Sequence, residues 1–283
     1  MRVSPYKMRT NAGRIGRCVS AHLRFGRCRE NTVLEQSFAT TPVKLFTTRG
    51  VSSACWVYAA TYGGGIVGGD AIALHVEAAA GTRAVITTQA STKVYRALRP
   101  ASQRITATIA ADALLVVLPD PVVCFADADF SQEQRYDLHE RGTLVLVDWM
   151  TSGRHTSGER WAFRHYSSRI DIRRAGRHIL YDTLLLDRGD GPIADRLGHN
   201  NVCLTAIVTG PHVAAASASL VAAVANSAID ANSALVSSAW KLADEGALLR
   251  INGVSVEQVG AALREQLSFL NQLLGDDPFS RKW

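Results

Sequence analysis

The sequence lacks any apolar run of about 18 residues, the length that predicts a membrane-spanning helix. Its longest bland stretch, residues 213–225, consists mostly of alanine and serine and is too short to cross a bilayer. An apolar segment of the kind found in signal peptides is missing as well, so the sequence does not predict export by that route. We therefore predict a cytoplasmic protein that makes no contact with a membrane.

Cysteine is scarce and follows no recognisable spacing. The five cysteines are Cys18, Cys28, Cys55, Cys124 and Cys203, and no two of them form a C-x-x-C motif. An odd count without such a motif argues against both a disulfide framework and a structural zinc site. We predict reduced thiols, most of them buried as small apolar side chains.

Acidic residues are absent from the first 29 positions, which carry eight arginines and lysines. We predict a flexible basic arm over residues 1–20, followed by a single β-rich domain over residues 21–283. A transit-peptide-like segment is an alternative, because such segments are also rich in arginine and poor in acidic residues. Nucleic-acid binding is disfavoured, because aromatic residues are not interleaved with the basic ones and no helix-turn-helix or zinc-finger spacing follows.

The common catalytic signatures are also missing. The sequence has no Walker A, H-E-x-x-H or EF-hand pattern, and Ser152 lacks the preceding glycine of a G-x-S-x-G turn. None of the eight histidines stands two or four positions from another, so no ligand cluster for a metal is visible. These absences predict a protein that is not an enzyme.

One motif imitates a nucleotide site. Gly63, Gly65 and Gly68 satisfy the G-x-G-x-x-G fingerprint, which binds a dinucleotide only where the glycines open a helix. Residues 71–77 instead alternate with a period of two, which predicts a strand, and no acidic residue stands about 20 positions later. We therefore predict a tight turn between strands, in which Gly63, Gly65, Gly68 and Gly69 provide positive φ and close backbone approach.

The fold class follows from the spacing of short strand patterns. Strand-like segments recur between turn signals for about two-thirds of the chain with little helix, which excludes alternating βαβ units. The continuous apolar runs 114–118 and 144–147 predict strands that are covered on both faces. The sequence thus predicts a mainly β protein of stacked sheets.

The last third predicts two α-helices. Residues 217–227 are rich in alanine, with larger apolar residues at helical spacing. Residues 255–274 form an amphipathic pattern in which Ser255 is a candidate N-cap, Gln258 has the capping-box spacing and Gly275 is the candidate stop.

Four acidic residues stand at the ends of predicted strands or turns: Asp70, Asp148, Glu159 and Asp182. A charge in that position commonly marks an exposed boundary. The alternative is a set of carboxylates that converge on a wet interior path and bind a passing metal ion. Carboxylates hold a late divalent metal less tightly than clustered cysteine or histidine, which suits passage better than storage. We place Thr92 in the same conduit, because it follows the strand at residues 87–89.

Five blocks of sequence, in this order and spacing, resemble the UreD family of urease accessory proteins, called UreH in some bacteria. The blocks are GGGIVGGD at 63–70, TTQASTKVYR at 87–96, LPDPVVCF at 118–125, FSQ at 130–132, and GR at 153–154 with GERWAF at 158–163. The resemblance implies a fold of stacked β-sheets resembling a β-helix, with two α-helices in the C-terminal third.

The resemblance also implies a function. Members of this family are scaffolds without enzymatic activity that serve nickel insertion into urease. It implies binding to apo-urease and UreF, and through UreF to the GTPase UreG, with no permanently bound cofactor and with nickel present only transiently. A water-filled channel is the proposed nickel route in this family. A β-rich binding module of another metallocentre-assembly pathway is the alternative.

Overall fold

The computed structural model describes residues 20–48, 53–96, 98–225, 233–243 and 245–280. All but the last residue of the predicted basic arm lies outside these ranges. The described residues form two large β-sheets and four helices. In chain order the strands are β1 (Ala21–Cys28), β2 (Asn31–Ala39), β3 (Val43–Thr48), β4 (Cys55–Thr61), β5 (Ala71–Ala78), β6 (Arg83–Thr88), β7 (Thr92–Val94), β8 (Ala101–Ile109), β9 (Leu114–Leu118), β10 (Val122–Cys124), β11 (Asp129–Leu138), β12 (Thr143–Thr151), β13 (His165–Arg174), β14 (Arg177–Asp187), β15 (Val202–Thr209), β16 (Leu235–Leu242) and β17 (Gly246–Gly253).

The first sheet has the spatial order β14-β13-β11-β8-β5-β1-β2, and the second has the order β16-β17-β15-β12-β9-β6-β4-β3. The short strands β7 and β10 join the second sheet beside β12. Strands β1, β5, β8, β11 and β13 are parallel neighbours in the first sheet, as are β4, β6, β9 and β12 in the second.

The connections between parallel neighbours explain the shape of the fold. Parallel strands need a long crossover, which is usually a helix. From β4 to β13 the segment that connects two parallel neighbours contains a strand of the opposite sheet instead of a helix. The chain therefore passes back and forth between the two sheets, and each round trip forms one coil of the fold. This solenoid-like stacking confirms the predicted stacked β fold and the absence of βαβ units from that part of the chain.

The interior explains why some strands are apolar throughout. Strand β9 is buried along its whole length. Leu115 and Val117 pack between the sheets, whereas Leu114, Val116 and Leu118 pack on the opposite face of the second sheet, beneath the helices. Both faces of this strand are therefore covered, as the continuous apolar run predicts.

The helices are α1 (Ile193–Leu197), α2 (Ala214–Ala225), α3 (Val256–Gln266) and α4 (Leu270–Leu274). The two longer ones, α2 and α3, confirm the predicted helical segments. Ser255 caps α3 by accepting a hydrogen bond of 3.2 Å from the backbone N–H of Gln258. The predicted second helix is interrupted after α3 and resumes as α4, which ends at Gly275 in the left-handed conformation.

Among the described residues, the helices are all too short or too polar to span a membrane. Four of the five cysteines lie in the described ranges, and all four carry free thiols. Of these four, Cys124 is buried, Cys55 and Cys203 are partly buried, and Cys28 is exposed. The expectation that most thiols are buried is therefore wrong for these four.

Candidate functional site

The glycine segment lies between β4 and β5, so a strand and not a helix follows it. Gly63 and Gly69 have φ of 76° and 91°, which favours glycine. Gly65 is extended at φ 175°, and it is needed for a different reason: an added Cβ would lie 2.5 Å from the Tyr95 ring and 2.8 Å from a backbone oxygen. Gly68 is not at positive φ either. The expectation of positive φ is thus wrong for Gly65 and Gly68.

A cavity of about 180 Å³ opens between the two sheets beside this turn. Of the sequence-predicted conduit residues, Asp148 and Thr92 line it. Thr92 starts β7, and its backbone N–H donates to Pro121 O at 3.1 Å. The lining also includes the polar side chains of Thr87, Thr88, Gln103, Asp120, Gln132 and Gln134.

The polar interior is confined to one level of the inter-sheet space. On β11, Gln132 and Gln134 are buried between Phe130 and Tyr136 on the face that points at the second sheet. On β12, Asp148 follows Leu146 on the face that points back. We call Gln132, Gln134, Asp148 and Ser168 the polar layer; apolar clusters lie on either side of it.

Asp148 is the centre of this layer. Ser168 Oγ donates to its Oδ2 at 2.5 Å, and Gln132 Nε2 donates to its Oδ1 at 2.8 Å. Gln132 Nε2 also lies 3.2 Å from Ser168 Oγ. The residue lies between the sheets, where it is partly buried and lines the cavity.

Three effects set the pKa of Asp148. Burial raises the pKa above that of an ordinary aspartate, because a charge is less well solvated between the sheets. The hydrogen bonds from Ser168 and Gln132 lower it, and the negative charge of Asp182 raises it. The net direction is upward.

Buried tyrosines and cysteines of the interior keep their protons more firmly than exposed ones do. Burial raises the pKa of Tyr136 and of Tyr166, and the charge of Asp148 adds to both shifts. Burial also raises the pKa of Cys203 to about 11 and raises that of Cys124. The interior therefore offers a metal ion a carboxylate and neutral oxygens rather than thiolates.

Asp120 is a second carboxylate of the cavity and is absent from the predicted conduit residues. Its side chain accepts a hydrogen bond of 2.7 Å from Thr88 Oγ1, whose oxygen accepts in turn from the Asp120 backbone N–H at 2.7 Å. The signal in the sequence was an acidic residue between Pro119 and Pro121 at the end of an apolar strand.

The remaining predicted carboxylates lie outside the cavity lining. Asp70 accepts a hydrogen bond of 2.9 Å from the Val67 backbone N–H and thereby closes its own turn. Asp182 on β14 forms an ion pair of 2.5 Å with Arg250 on β17, which links the two sheets. The field of Asp182 reaches Asp148, but Arg250 occupies its carboxylate.

Glu159 forms its contacts with loop residues outside the cavity. It pairs with Arg154 and accepts a hydrogen bond of 3.1 Å from the Ala126 backbone N–H. The Arg154 hydrogen bond and then the Ala126 N–H lower the pKa of Glu159. The structure therefore brings together Asp148 and Thr92 but not the four predicted carboxylates. The expected strand-end positions of Asp148 and Asp182 are wrong, because β12 continues to Thr151 and β14 to Asp187.

Comparison with known proteins shows the family of the chain. A family model described as UreD urease accessory protein matches residues 18–283. The chain is 43% identical over 272 residues to a urease accessory protein UreD from Sorangium cellulosum, covering 96% of this chain and 86% of that protein. It is 40% identical over 245 residues to the UreD of an Anaeromyxobacter species, covering 86% and 82%. It is 36% identical over 252 residues to urease accessory protein D of Arabidopsis thaliana, covering 80% and 86%.

Proposed function

Because the chain belongs to the UreD family of urease accessory proteins, we propose that it is a cytoplasmic, non-catalytic scaffold for nickel insertion into urease. It acts in a complex with UreF and, through UreF, with the GTPase UreG, and the complex binds apo-urease. Nickel is the cargo of this complex and not a resident cofactor. No nucleic acid or membrane takes part.

The observation that carries the proposal is the carboxylate of Asp148 on the wall of the inter-sheet cavity. An ionised carboxylate has about four lone-pair positions, of which Ser168 and Gln132 occupy two. Acceptor capacity therefore remains for a cation in the cavity. A negative charge between the sheets attracts a divalent ion more strongly than the same charge in bulk water, because the surroundings screen it less.

The composition of the cavity supports passage rather than storage. Oxygen ligands from Asp120, Asp148 and the neighbouring threonines are hard, and a late divalent metal prefers nitrogen or sulfur. The cavity volume of about 180 Å³ is many times the roughly 10–15 Å³ that one water requires, so an ion can keep part of its hydration shell. Weak ligands and retained water favour rapid release to the next protein.

The test is the nickel content of urease in a strain that lacks this chain. We expect normal amounts of urease polypeptide with little bound nickel, and recovery when the wild-type chain is supplied. Co-purification of the chain with its UreF and with apo-urease tests the complex. Full urease activity in the deletion strain without added nickel would contradict the proposal.

A further inference from the structure

A group of side chains of the kinds that bind metals lies on the outer face of the first sheet, away from the cavity. Parallel pairing of β1 with β5 sets His22 directly beside His75, with Glu77 two residues further along the same face. Their three candidate ligand atoms all lie within 4.8 Å of one another. His22 Nε2 lies 2.9 Å from Glu77 Oε1, and His75 Nε2 lies 3.6 Å from the same oxygen.

The geometry of the two rings suits a shared ion. The imidazoles stack with centroids 5.3 Å apart and an interplanar angle of 18°. Both rings direct Nε2 at the Glu77 carboxylate, so a cation placed there meets two nitrogens and one oxygen. Two imidazoles with a carboxylate are a known donor set for zinc sites that keep an open position for water.

A neighbouring hydroxyl supports the orientation of one ligand. Thr106 on β8 lies beside His75, and its Oγ1 is 2.9 Å from His75 Nδ1. When Nδ1–H donates to this hydroxyl, Nε2 presents its lone pair to the site. Outer partners of this kind fix the tautomer and the ring orientation of metal-binding histidines.

The nearby arginines Arg24 and Arg104 pair with carboxylates other than that of Glu77. Arg24 is the neighbour of Glu77 across the β1–β5 pair, and its Nε lies 3.4 Å from Glu35. Arg104 forms an ion pair of 2.9 Å with Glu133 on β11. Glu77 thus keeps its carboxylate towards the histidines. The three ligand side chains are 20–40% exposed, so an ion can enter directly from solvent.

We propose that His22, His75 and Glu77 bind one late divalent transition-metal ion, zinc or nickel, with water completing its coordination. Imidazole nitrogen suits both ions, whereas the oxygen-lined cavity suits neither for storage. This site is a property of the isolated chain and does not rest on the proposed role in nickel transfer. Sequence spacing did not reveal it, because 55 positions separate His22 from Glu77.

The test uses the full chain without a histidine tag. Zinc and nickel are titrated separately by calorimetry and equilibrium dialysis, and the fold of each variant is checked by circular dichroism. We expect one equivalent of ion bound by the wild type and loss of that equivalent in His22→Ala, His75→Ala and Glu77→Gln. We expect Thr106→Val to weaken binding by about 10–100-fold, the usual effect of losing an outer partner.

Two control variants separate this site from others. His178→Ala removes another histidine that pairs with a carboxylate, Asp171 at 2.9 Å, and it should leave the bound equivalent unchanged. Asp148→Asn removes the cavity carboxylate and should also leave it unchanged. X-ray absorption at the metal edge of the metal-loaded wild-type chain identifies the ligands without any substitution. We expect two imidazole ligands per ion.

Three results would overturn the proposal: no bound equivalent of either ion, unchanged binding in folded His22→Ala and His75→Ala, or an absorption spectrum without imidazole. Zinc bound more tightly than nickel makes the site a zinc site, and the reverse makes it a nickel site. Normal urease activity in the deletion strain would contradict the nickel-insertion proposal without changing these binding results. The two failures are therefore distinguishable.

Discussion

Ser168 of the first sheet donates a hydrogen bond of 2.5 Å to Asp148 of the second, so the cavity carboxylate is held from across the inter-sheet space. This contact ties the position of a candidate metal ligand to the spacing of the two sheets. A change that separates the sheets at this level also moves the carboxylate. Asp148 is thus part of both the packing and the site.

We expect Ser168→Ala to lower the free energy of unfolding by about 1.5–3 kcal/mol, the usual contribution of a hydrogen bond to a charged group. The matched control is Ser167→Ala on the same strand, whose hydroxyl donates to Ser131 Oγ at 3.1 Å on the outer face. That variant should lose about 0.5–1.5 kcal/mol, as for a neutral hydrogen bond. Urea denaturation measures both free energies of unfolding. Equal losses would show that the hydrogen bond to Asp148 contributes no more to stability than a neutral hydrogen bond.

Asp148 should also make stability depend on pH in a particular direction. Its pKa is raised in the folded state, so the folded protein holds this proton at pH values where the unfolded chain has released it. Stability from this group is therefore present below the ordinary aspartate pKa of about 3.9 and is lost as pH rises towards the raised value.

Asp148→Asn isolates that effect, because the amide has nearly the same shape and no charge. The free energy of unfolding of Asp148→Asn minus that of the wild type should grow as pH rises above about 4 and then level off. Denaturation series at several pH values measure this difference, in which the other carboxylates cancel. A difference that shrinks with rising pH would mean that the folded state favours the charged form.

The proposed nickel route makes a prediction about Thr92, which lines the cavity. Thr92→Lys places bulk and positive charge in the passage, whereas Asp148→Ala removes one attractive group and leaves water and other oxygens. We expect Thr92→Lys to reduce nickel bound to urease more than Asp148→Ala, with UreF binding retained in both.

Thr92→Val is the control for Thr92→Lys, since it keeps the size and adds no charge. The measurements are nickel per urease after activation and pull-down of UreF from the same cells. Normal nickel loading with Thr92→Lys, or a nickel deficit only where UreF binding is also lost, would show that the ion does not pass this way.

The glycine turn makes a prediction about stability. A Cβ at Gly65 would lie 2.8 Å from Lys93 O, a backbone atom that cannot easily move. We expect Gly65→Ala to destabilise the fold by about 1–3 kcal/mol, as for other overpacked positions. Gly260→Ala in α3 is the control: a Cβ there meets nothing within 4 Å, and helix propensity should stabilise it by about 0.5–1 kcal/mol. Thermal unfolding of both variants measures the contrast.

Local patterns were sufficient to predict those elements that neighbouring residues determine. The covered strand at 114–118 follows from its continuous apolar run, and the start of α3 follows from Ser255 and Gln258. Pairing between distant strands cannot be obtained in this way. The alternation of β12 does put Asp148 on the same face as Leu146, but nothing local indicates that Gln132 and Ser168 lie opposite.

The same limit explains why the predicted conduit residues do not all lie together in the structure. Predicted strand ends and turns group Asp70, Glu159 and Asp182 with Asp148, yet a partner in the same turn, in the same loop or on the other sheet engages each of the three. Conversely, the stacked pair His22 and His75 comes from strands that meet only in the folded sheet.

The winding of the chain between two sheets has a consequence for how the protein reaches its folded state. Contacts between neighbouring strands of the first sheet join side chains 31, 29 and 36 positions apart, as for His75 with Thr106, Arg104 with Glu133 and Ser131 with Ser167. Each coil must close a long loop before its pairing contributes, which makes folding of such topologies slow. During that time unpaired strand edges are open to other chains. Newly made protein is therefore expected to depend on dilution, low temperature or early capture by a binding protein to avoid aggregation.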